Sequence, residues 1–191
     1  MGRSKAGLSA AAFGMTPLAL FFLSACTVAK PGTEFRYYPV FANSPADLAR
    51  SIHSYAPRSG RAYGLTEITF VPAFELSGEG HQCRAKNVSV DLALEITLPK
   101  WRDGKGLSKS VRSRFHRFER YVRAHELHHA GIAKAYARKA ESKIAVMRST
   151  KGCGDLRRRI ALYLMQMKLQ HLASHKAYDV REKDRLKRLL P

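Results

Sequence analysis

The sequence is poor in acidic residues: 15 Asp and Glu stand against 34 Lys and Arg, and the formal net charge is +19. Such an imbalance favours anionic surroundings. The chain also lacks an internal repeat and a low-complexity tract. Its 191 residues suffice for one compact domain and not comfortably for two. The sequence therefore predicts one compact domain with a basic surface.

A long apolar run is found only at the start of the chain, over residues 6–23, after a short basic stretch. This order is typical of a targeting segment. Residues 23–26 read Leu-Ser-Ala-Cys, which resembles the lipobox of bacterial lipoproteins, where the cysteine is lipidated and becomes the new N-terminus. We predict a lipoprotein signal peptide over residues 1–25, lipidation of Cys26 and a tether over residues 26–34. A plain signal peptide or an uncleaved anchor are the alternatives.

Export determines which partners are expected. Thr27, not Asp, follows the lipidated cysteine, as in lipoproteins passed on to the outer membrane. We therefore predict an outer-membrane lipoprotein that faces the periplasm. Removal of residues 1–25 takes away Arg3 and Lys5 and leaves a formal charge of +17. For an exported protein this charge favours anionic lipid, lipopolysaccharide or acidic cell-wall polymer as neighbours, and not nucleic acid.

Cysteine is scarce as well. With Cys26 assigned to lipid, Cys83 and Cys153 remain. An even pair in an oxidising compartment predicts one disulfide between them. A free buried pair is the alternative.

Residue patterns outside the targeting segment predict strands before helices. Residues 35–41 are predicted as a first strand, placed at a sheet edge because it contains a proline. Residues 66–76 and 87–98 alternate between apolar and polar positions. That period of two predicts half-buried strands of an antiparallel sheet, paired with each other.

The most informative motif is H-E-x-x-H, with His125, Glu126 and His129 at its three fixed places. On a helix, residues four apart share a face, so two imidazoles at this spacing can hold one metal ion. The glutamate beside the first histidine then lies near a water on that ion and can take its proton. We therefore predict His125 and His129 as metal ligands and Glu126 as the catalytic base.

The motif lies within an apolar helical stripe. Steps of three and four trace Val111, Phe115, Phe118, Val122, His125, His129, Ile132, Tyr136, Ala140, Ile144 and Met147. Both histidines are thus predicted to face inward, where a polar group without a partner costs about 1–3 kcal/mol. They need either ligation or hydrogen bonds. The alternative to a metal site is two core histidines satisfied by their neighbours.

A second long helix is predicted after a glycine-containing turn near residue 152. A short turn makes two helices antiparallel neighbours, which brings His129 level with His175 and His125 level with Asp179. Zinc in catalytic sites takes three protein ligands. We predict Asp179 as the third ligand, with His175 as an alternative. The polar stripe that contains them can equally be a solvated helix face.

Several landmarks occur in an order that resembles a known bacterial family. They are Tyr38, Ser44-Pro45-Ala46-Asp47-Leu48, Ala62-Tyr63-Gly64-Leu65-Thr66, Cys83, Ile96-Thr97-Leu98-Pro99-Lys100-Trp101, the motif, Cys153 and Tyr178-Asp179. The set is similar to a family described as predicted secreted zinc-dependent proteases, over most of residues 35–180. The resemblance implies a small zincin-like α+β domain with the motif helix packed against the sheet.

The chain departs from that family at one place. Members carry Thr-x-His-Gly after the Tyr-Asp pair, whereas residues 180–185 here read Val-Arg-Glu-Lys-Asp-Arg. The departure makes Asp184 a further candidate for the third ligand.

Residues and resemblance together predict an α+β fold over residues 35–191. A small antiparallel sheet would pack on the long motif helix and on an antiparallel C-terminal helix. The predicted function is a zinc-dependent endopeptidase of the cell envelope, with Zn²⁺ as cofactor and a peptide or protein as substrate. The alternative is a non-catalytic envelope lipoprotein on a zincin scaffold, with a structural metal or none.

Overall fold

The computed structural model describes residues 30–102 and 108–189. The predicted signal peptide, the lipidation site Cys26 and most of the tether lie outside the described residues. The elements, in order, are β1 (Gly32–Val40), α1 (Pro45–Tyr55), α2 (Pro57–Gly60), β2 (Leu65–Ser77), β3 (Cys83–Trp101), α3 (Lys109–Ala145), β4 (Arg148–Ser149) and α4 (Cys153–Leu189). The fold is therefore α+β, and its first strand begins inside the predicted tether.

The sheet is mixed, which corrects the prediction of an antiparallel sheet. The central strand β3 pairs with β2 in antiparallel orientation, as predicted, and with β1 in parallel orientation. The two-residue β4 pairs with the start of β3. The alternation of apolar and polar residues along 87–98 indicates a half-buried strand. It does not indicate which strands pair with it or in which direction they run. The parallel partner β1 is distant in the chain, so the local pattern carried no information about its direction.

The motif helix α3 packs across the sheet and contributes to two apolar clusters, one along each half of its length. The first cluster joins β1 and α1 to the N-terminal half of α3 through residues such as Val40, Leu48 and Phe118. The second joins the start of β3 and the C-terminal half of α3 to α4, through residues such as Ile144 and Ile160. The H-E-x-x-H motif lies where the two clusters meet.

The buried face of α3 follows the predicted stripe except over one short stretch after the motif, and Ala140 and Ile144 are buried as predicted. Beyond Gly131, Ala133 and Ala137 are buried, whereas Ile132 and Tyr136 are partly exposed. Steps of three and four can follow either of two adjacent rows on a helix. The small alanines let the sheet and α4 approach closely here, so the buried row moves by one position at residues 133 and 137 and then returns to the predicted stripe.

The long helix α4 lies antiparallel to α3, as predicted from the short connection. The Tyr136 hydroxyl on α3 donates to the Gln170 carbonyl on α4 at 3.2 Å, and the rings of His129 and His175 stand 4.4 Å apart. Pairs nearer the helix ends follow the same register, since the Tyr121 hydroxyl bonds to the Glu182 carboxylate. The register therefore brings the histidine-rich middle of α4 against the motif.

The predicted disulfide between Cys83 and Cys153 is confirmed. It joins the first residue of β3 to the first residue of α4. A structural disulfide suggests an extracellular or periplasmic location, because the cytoplasm keeps thiols reduced. No helix in the described parts of the chain combines the length and apolarity of a membrane span.

Candidate metal centre

Three potential metal-ligating atoms from the two long helices converge on one point. Nε2 of His125 and Nε2 of His129 lie 3.1 Å apart. Asp179 Oδ1, from α4, lies 3.1 Å from the first of these nitrogens and 2.9 Å from the second. The residues that sequence analysis proposed as the primary ligand set are thus brought together by the antiparallel helices.

The donor set fits a transition-metal ion. Two imidazole nitrogens and one carboxylate oxygen match the three protein ligands of catalytic zinc sites, in which bonds of about 2.0–2.2 Å leave the donor atoms about 3.3 Å apart. The observed separations of 2.9–3.1 Å are close to that value. Within the described residues, no other group of three His, Cys, Asp or Glu side chains comes together in this way. Three ligands leave a fourth position for water or substrate.

Both motif histidines are held neutral. Their side chains are 8% exposed, and burial lowers the pKa of each by disfavouring the imidazolium, with the Asp179 charge acting in the opposite direction. For His129 the pKa falls to about 4. A neutral ring offers a lone pair to a metal, so the site does not need to lose a proton before it binds one near neutral pH.

Ring packing orients the two imidazoles. Their Nδ1 atoms are buried and have no hydrogen-bond partner among the described residues, whereas metal-binding histidines usually donate from the second nitrogen. Tyr178 stacks on His125 at 4.8 Å between ring centroids, and His175 stacks on His129 at 4.4 Å. Aromatic faces from α4 therefore fix the rings where hydrogen bonds are missing.

The predicted base Glu126 is buried, with only 4% of its surface exposed. The Thr66 hydroxyl of β2 lies 2.7 Å from its Oε2 and can donate to it. Burial raises the pKa of Glu126 to about 7; the Thr66 hydrogen bond and the Arg58 charge lower it, and the Asp179 charge raises it. A carboxyl group with this pKa can both accept and release a proton near neutral pH.

Gly64 makes room for this carboxylate. A Cβ atom at Gly64 would lie 2.6 Å from Oε1 of Glu126 and 2.7 Å from a methyl group of Val122. Any side chain at position 64 would therefore displace Glu126 or the backbone. Gly64 and Thr66 belong to one of the family landmarks, which is the only sequence signal that could have marked them, and no role was predicted for either.

The other candidate ligands lie outside the convergent set. His175 lines the cleft beside His129, but its nitrogens are not within the three-atom cluster. His171, one turn earlier on α4, is 5% exposed and stands 4.1 Å from the His175 ring. Asp184 is exposed, farther along α4, and does not line the cleft.

The candidate centre opens into a cleft of about 1040 Å³. One wall is the edge of β2, which contributes residues 65–70, and the other wall is the face of α4 from Lys168 to Lys183. Among the described strands β2 pairs only with β3, so its outer edge carries unpaired backbone groups along this wall. The cleft is large enough for several residues of an extended peptide.

Comparison with known proteins identifies the family and no closer relative. The searches found no match among curated proteins and none among solved structures. A family model described as "bacterial protein of unknown function (DUF922)" matches residues 35–185. That range covers both walls of the cleft and all three convergent side chains. The chain therefore belongs to this bacterial family of unknown function.

Proposed function

We propose that the protein is a zinc-dependent endopeptidase of the bacterial cell envelope. The observation that carries the proposal is the convergence of His125, His129 and Asp179 within 2.9–3.1 Å, next to the buried carboxylate of Glu126. A site with three protein ligands and an adjacent cleft is typical of catalytic zinc, whereas structural zinc takes four protein ligands.

A Zn²⁺ ion held by these three side chains would lower the pKa of a bound water toward about 7 and polarise a peptide carbonyl. Glu126 takes a proton from the attacking water as the water oxygen bonds to the scissile carbonyl carbon. The carbon–nitrogen bond then breaks, and Glu126 returns the proton to the leaving amine. Thr66 holds the carboxylate in place during both transfers.

The substrate would lie as an extended strand along the outer edge of β2. Its backbone would pair with the outward-facing N–H and C=O groups of residues 65–70, while its side chains would point alternately to the two faces of the sheet. Thr66 lies within this edge and contacts Glu126. A peptide paired here would therefore pass the convergent ligands.

The assignment of the base is tested by Glu126→Gln. The amide keeps the shape of the side chain and can still contact Thr66, but it cannot accept the proton. We expect an unchanged fold and zinc content, with peptide cleavage reduced roughly 10²- to 10⁴-fold. Cleavage at the wild-type rate by this variant would refute the assignment.

The ligand set is tested by metal analysis of the exported protein, purified with its disulfide oxidised. His129→Ala is expected to abolish stoichiometric zinc binding. His128→Ala is the matched control, because His128 lies in the same motif and is exposed, and it contributes no atom to the convergent set. A wild-type protein that holds no metal and cleaves no peptide would favour the non-catalytic lipoprotein.

We also propose that Cys26 carries the lipid that anchors the domain to the outer membrane, facing the periplasm. The support is the Leu-Ser-Ala-Cys sequence at residues 23–26 and the disulfide expected of an exported protein. Cys26→Ser should abolish acylation, so that no acyl chains are found on the peptide that contains residue 26. Mass spectrometry of that peptide measures this.

A further inference from the structure

We propose that the cleft recognises acidic peptides, with carboxylate side chains on both sides of the bond that is cut. The inference rests on the proposed function, which gives a peptide as the substrate. It adds that this peptide is negatively charged. It depends on the cationic residues of the cleft walls: Arg58, Arg61, Lys168, Lys176 and Lys183.

The two walls run side by side over the same distance. Thr66 of β2 contacts Glu126, which is next to His125 and hence level with Asp179 of α4. Phe70 packs on His171, with ring centroids 5.0 Å apart. Four strand residues at about 3.3 Å each cover about 13 Å, and eight helix residues at about 1.5 Å each cover about 12 Å. An extended peptide along β2 therefore stays beside α4 for the whole length of the cleft.

The cations are distributed along this path. Lys168 lies beyond the Phe70 end, Lys176 lies between His175 and Asp179, and Lys183 lies beyond the Leu65 end. The three lysines are seven or eight positions apart, so they share one face of α4 at intervals of about 10–12 Å. That interval matches three to four residues of an extended peptide.

Two arginines from the segment that precedes β2 also line the cleft. Arg58 and Arg61 come from α2 and the residue that follows it, and both are exposed. Arg58 (φ 52°) and Ser59 (φ 56°) are in the left-handed region, which is unfavourable for residues with a side chain. Such strain persists only where the surrounding structure enforces it, and it is common at ligand-binding sites. The Arg58 charge acts on Glu126, so this guanidinium is close to the proposed catalytic base.

Among the described residues, the cationic residues of the cleft are not neutralised by close ion pairs, and the one hydrogen bond among them runs from Arg61 to the backbone carbonyl of Arg58. In the part of the chain that the structure describes, none of the five forms an ion pair within 4.0 Å. Apart from Glu126 and Asp179 of the candidate centre, Glu67 is the one described carboxylate that lines the cleft. The positive charge is therefore free to attract a ligand, and an extended anionic chain matches both its sign and its spacing.

The test uses the full-length Glu126→Gln protein, so that binding is measured without cleavage. The probes are fluorescent peptides of equal length: one rich in Asp and Glu, one with Asn and Gln at those positions, and one with Lys. Fluorescence anisotropy should show the tightest binding for the acidic peptide, weakened by added salt as the charges are screened.

Two matched double variants show whether the peptide is attracted by the lysines of the cleft or by the basic surface in general. In the Glu126→Gln background, Lys168→Gln with Lys176→Gln should raise the Kd for the acidic peptide about 3- to 10-fold. The control pair, Lys134→Gln with Lys143→Gln, removes the same charge from exposed positions of α3 outside the cleft, and it should leave the Kd nearly unchanged. Equal weakening by both pairs would overturn the inference, because it would mean a general attraction to a basic surface. Equal affinity for the acidic and amide peptides would overturn it as well.

Cleavage by the wild-type chain separates this inference from the proposed function. If the acidic peptide binds selectively but is never cut, acidic recognition stands and the peptidase proposal fails. If acidic and amide peptides are cut with equal kcat/KM and bind equally, the peptidase proposal stands and acidic recognition fails. Selective binding together with faster cleavage of the acidic peptide supports both.

Discussion

Several residues that shape the candidate site are distant in sequence from the motif. Thr66 and Gly64 come from the start of β2, yet they fix the position of Glu126 on α3. The motif alone predicted which residue types hold a metal and accept a proton. It could not predict the supporting contacts, because these form only when β2 packs against α3.

At the residue scale, substitution of Gly64 tests whether its close contact with Glu126 is needed for activity. Gly64→Ala should displace the Glu126 carboxylate, and because small misplacements of catalytic groups are costly, we expect a roughly 10- to 100-fold loss of peptidase activity with zinc content retained. Gly131→Ala is the control: its Cβ would meet nothing within 4 Å, and alanine should stabilise the helix by about 0.5–1 kcal/mol. Full activity of the Gly64 variant would show that the close contact is not needed.

Buried histidines should make the metal-free protein sensitive to acid. Burial lowers the pKa of His171 and lowers that of His175 to about 4, so the unfolded chain binds more protons than the folded chain between about pH 6.5 and pH 4. The free energy of unfolding should therefore fall as the pH decreases through this window. Urea unfolding at several pH values, in the presence of a chelator, measures this free energy.

A variant identifies the source of that pH dependence. His171→Phe keeps an aromatic ring against Phe70 but cannot take up a proton, so the fall in stability should be smaller in this variant. An unchanged pH dependence would exclude His171 as a contributor.

At the scale of the elements, the antiparallel register of α3 and α4 determines which residue of α4 reaches the motif. The position of the turn near residue 152 was enough to predict that His125 meets Asp179, and the structure places these side chains in contact. The sheet was predicted as antiparallel, and the parallel pairing of β1 was missed because a partner distant in the chain leaves no local pattern. Helix pairing through a short turn is therefore more predictable here than strand pairing across the sheet.

The register can be tested by insertion. One alanine inserted after Ala177 turns the rest of α4 by about 100° and moves it by about 1.5 Å, which carries Asp179 away from the motif histidines. Zinc should then bind more weakly, because Asp179 can no longer coordinate it. The same insertion after Asp184 leaves the three ligands in place and should keep the wild-type affinity. Competition with a chromogenic chelator measures both, and equal affinities would argue against Asp179 as a ligand.

At the scale of the whole molecule, one covalent bond links the sheet to the helix that carries Asp179. Replacing Cys83 and Cys153 by serine should lower the free energy of unfolding by about 2–4 kcal/mol. Zinc affinity should fall too, because α4 would be held against α3 by packing alone. Urea unfolding and zinc titration of the double variant test this, and wild-type values in both would show that packing alone suffices.

The position of the disulfide has a consequence for when the proposed activity could begin. A newly made chain in the reducing cytoplasm cannot form the bond between Cys83 and Cys153, so the helix with Asp179 is not yet fastened to the sheet. Oxidation after export would complete the centre and start hydrolysis in the same compartment. A peptidase built in this way would spare cytoplasmic proteins during its synthesis, with no need for a separate inhibitory segment.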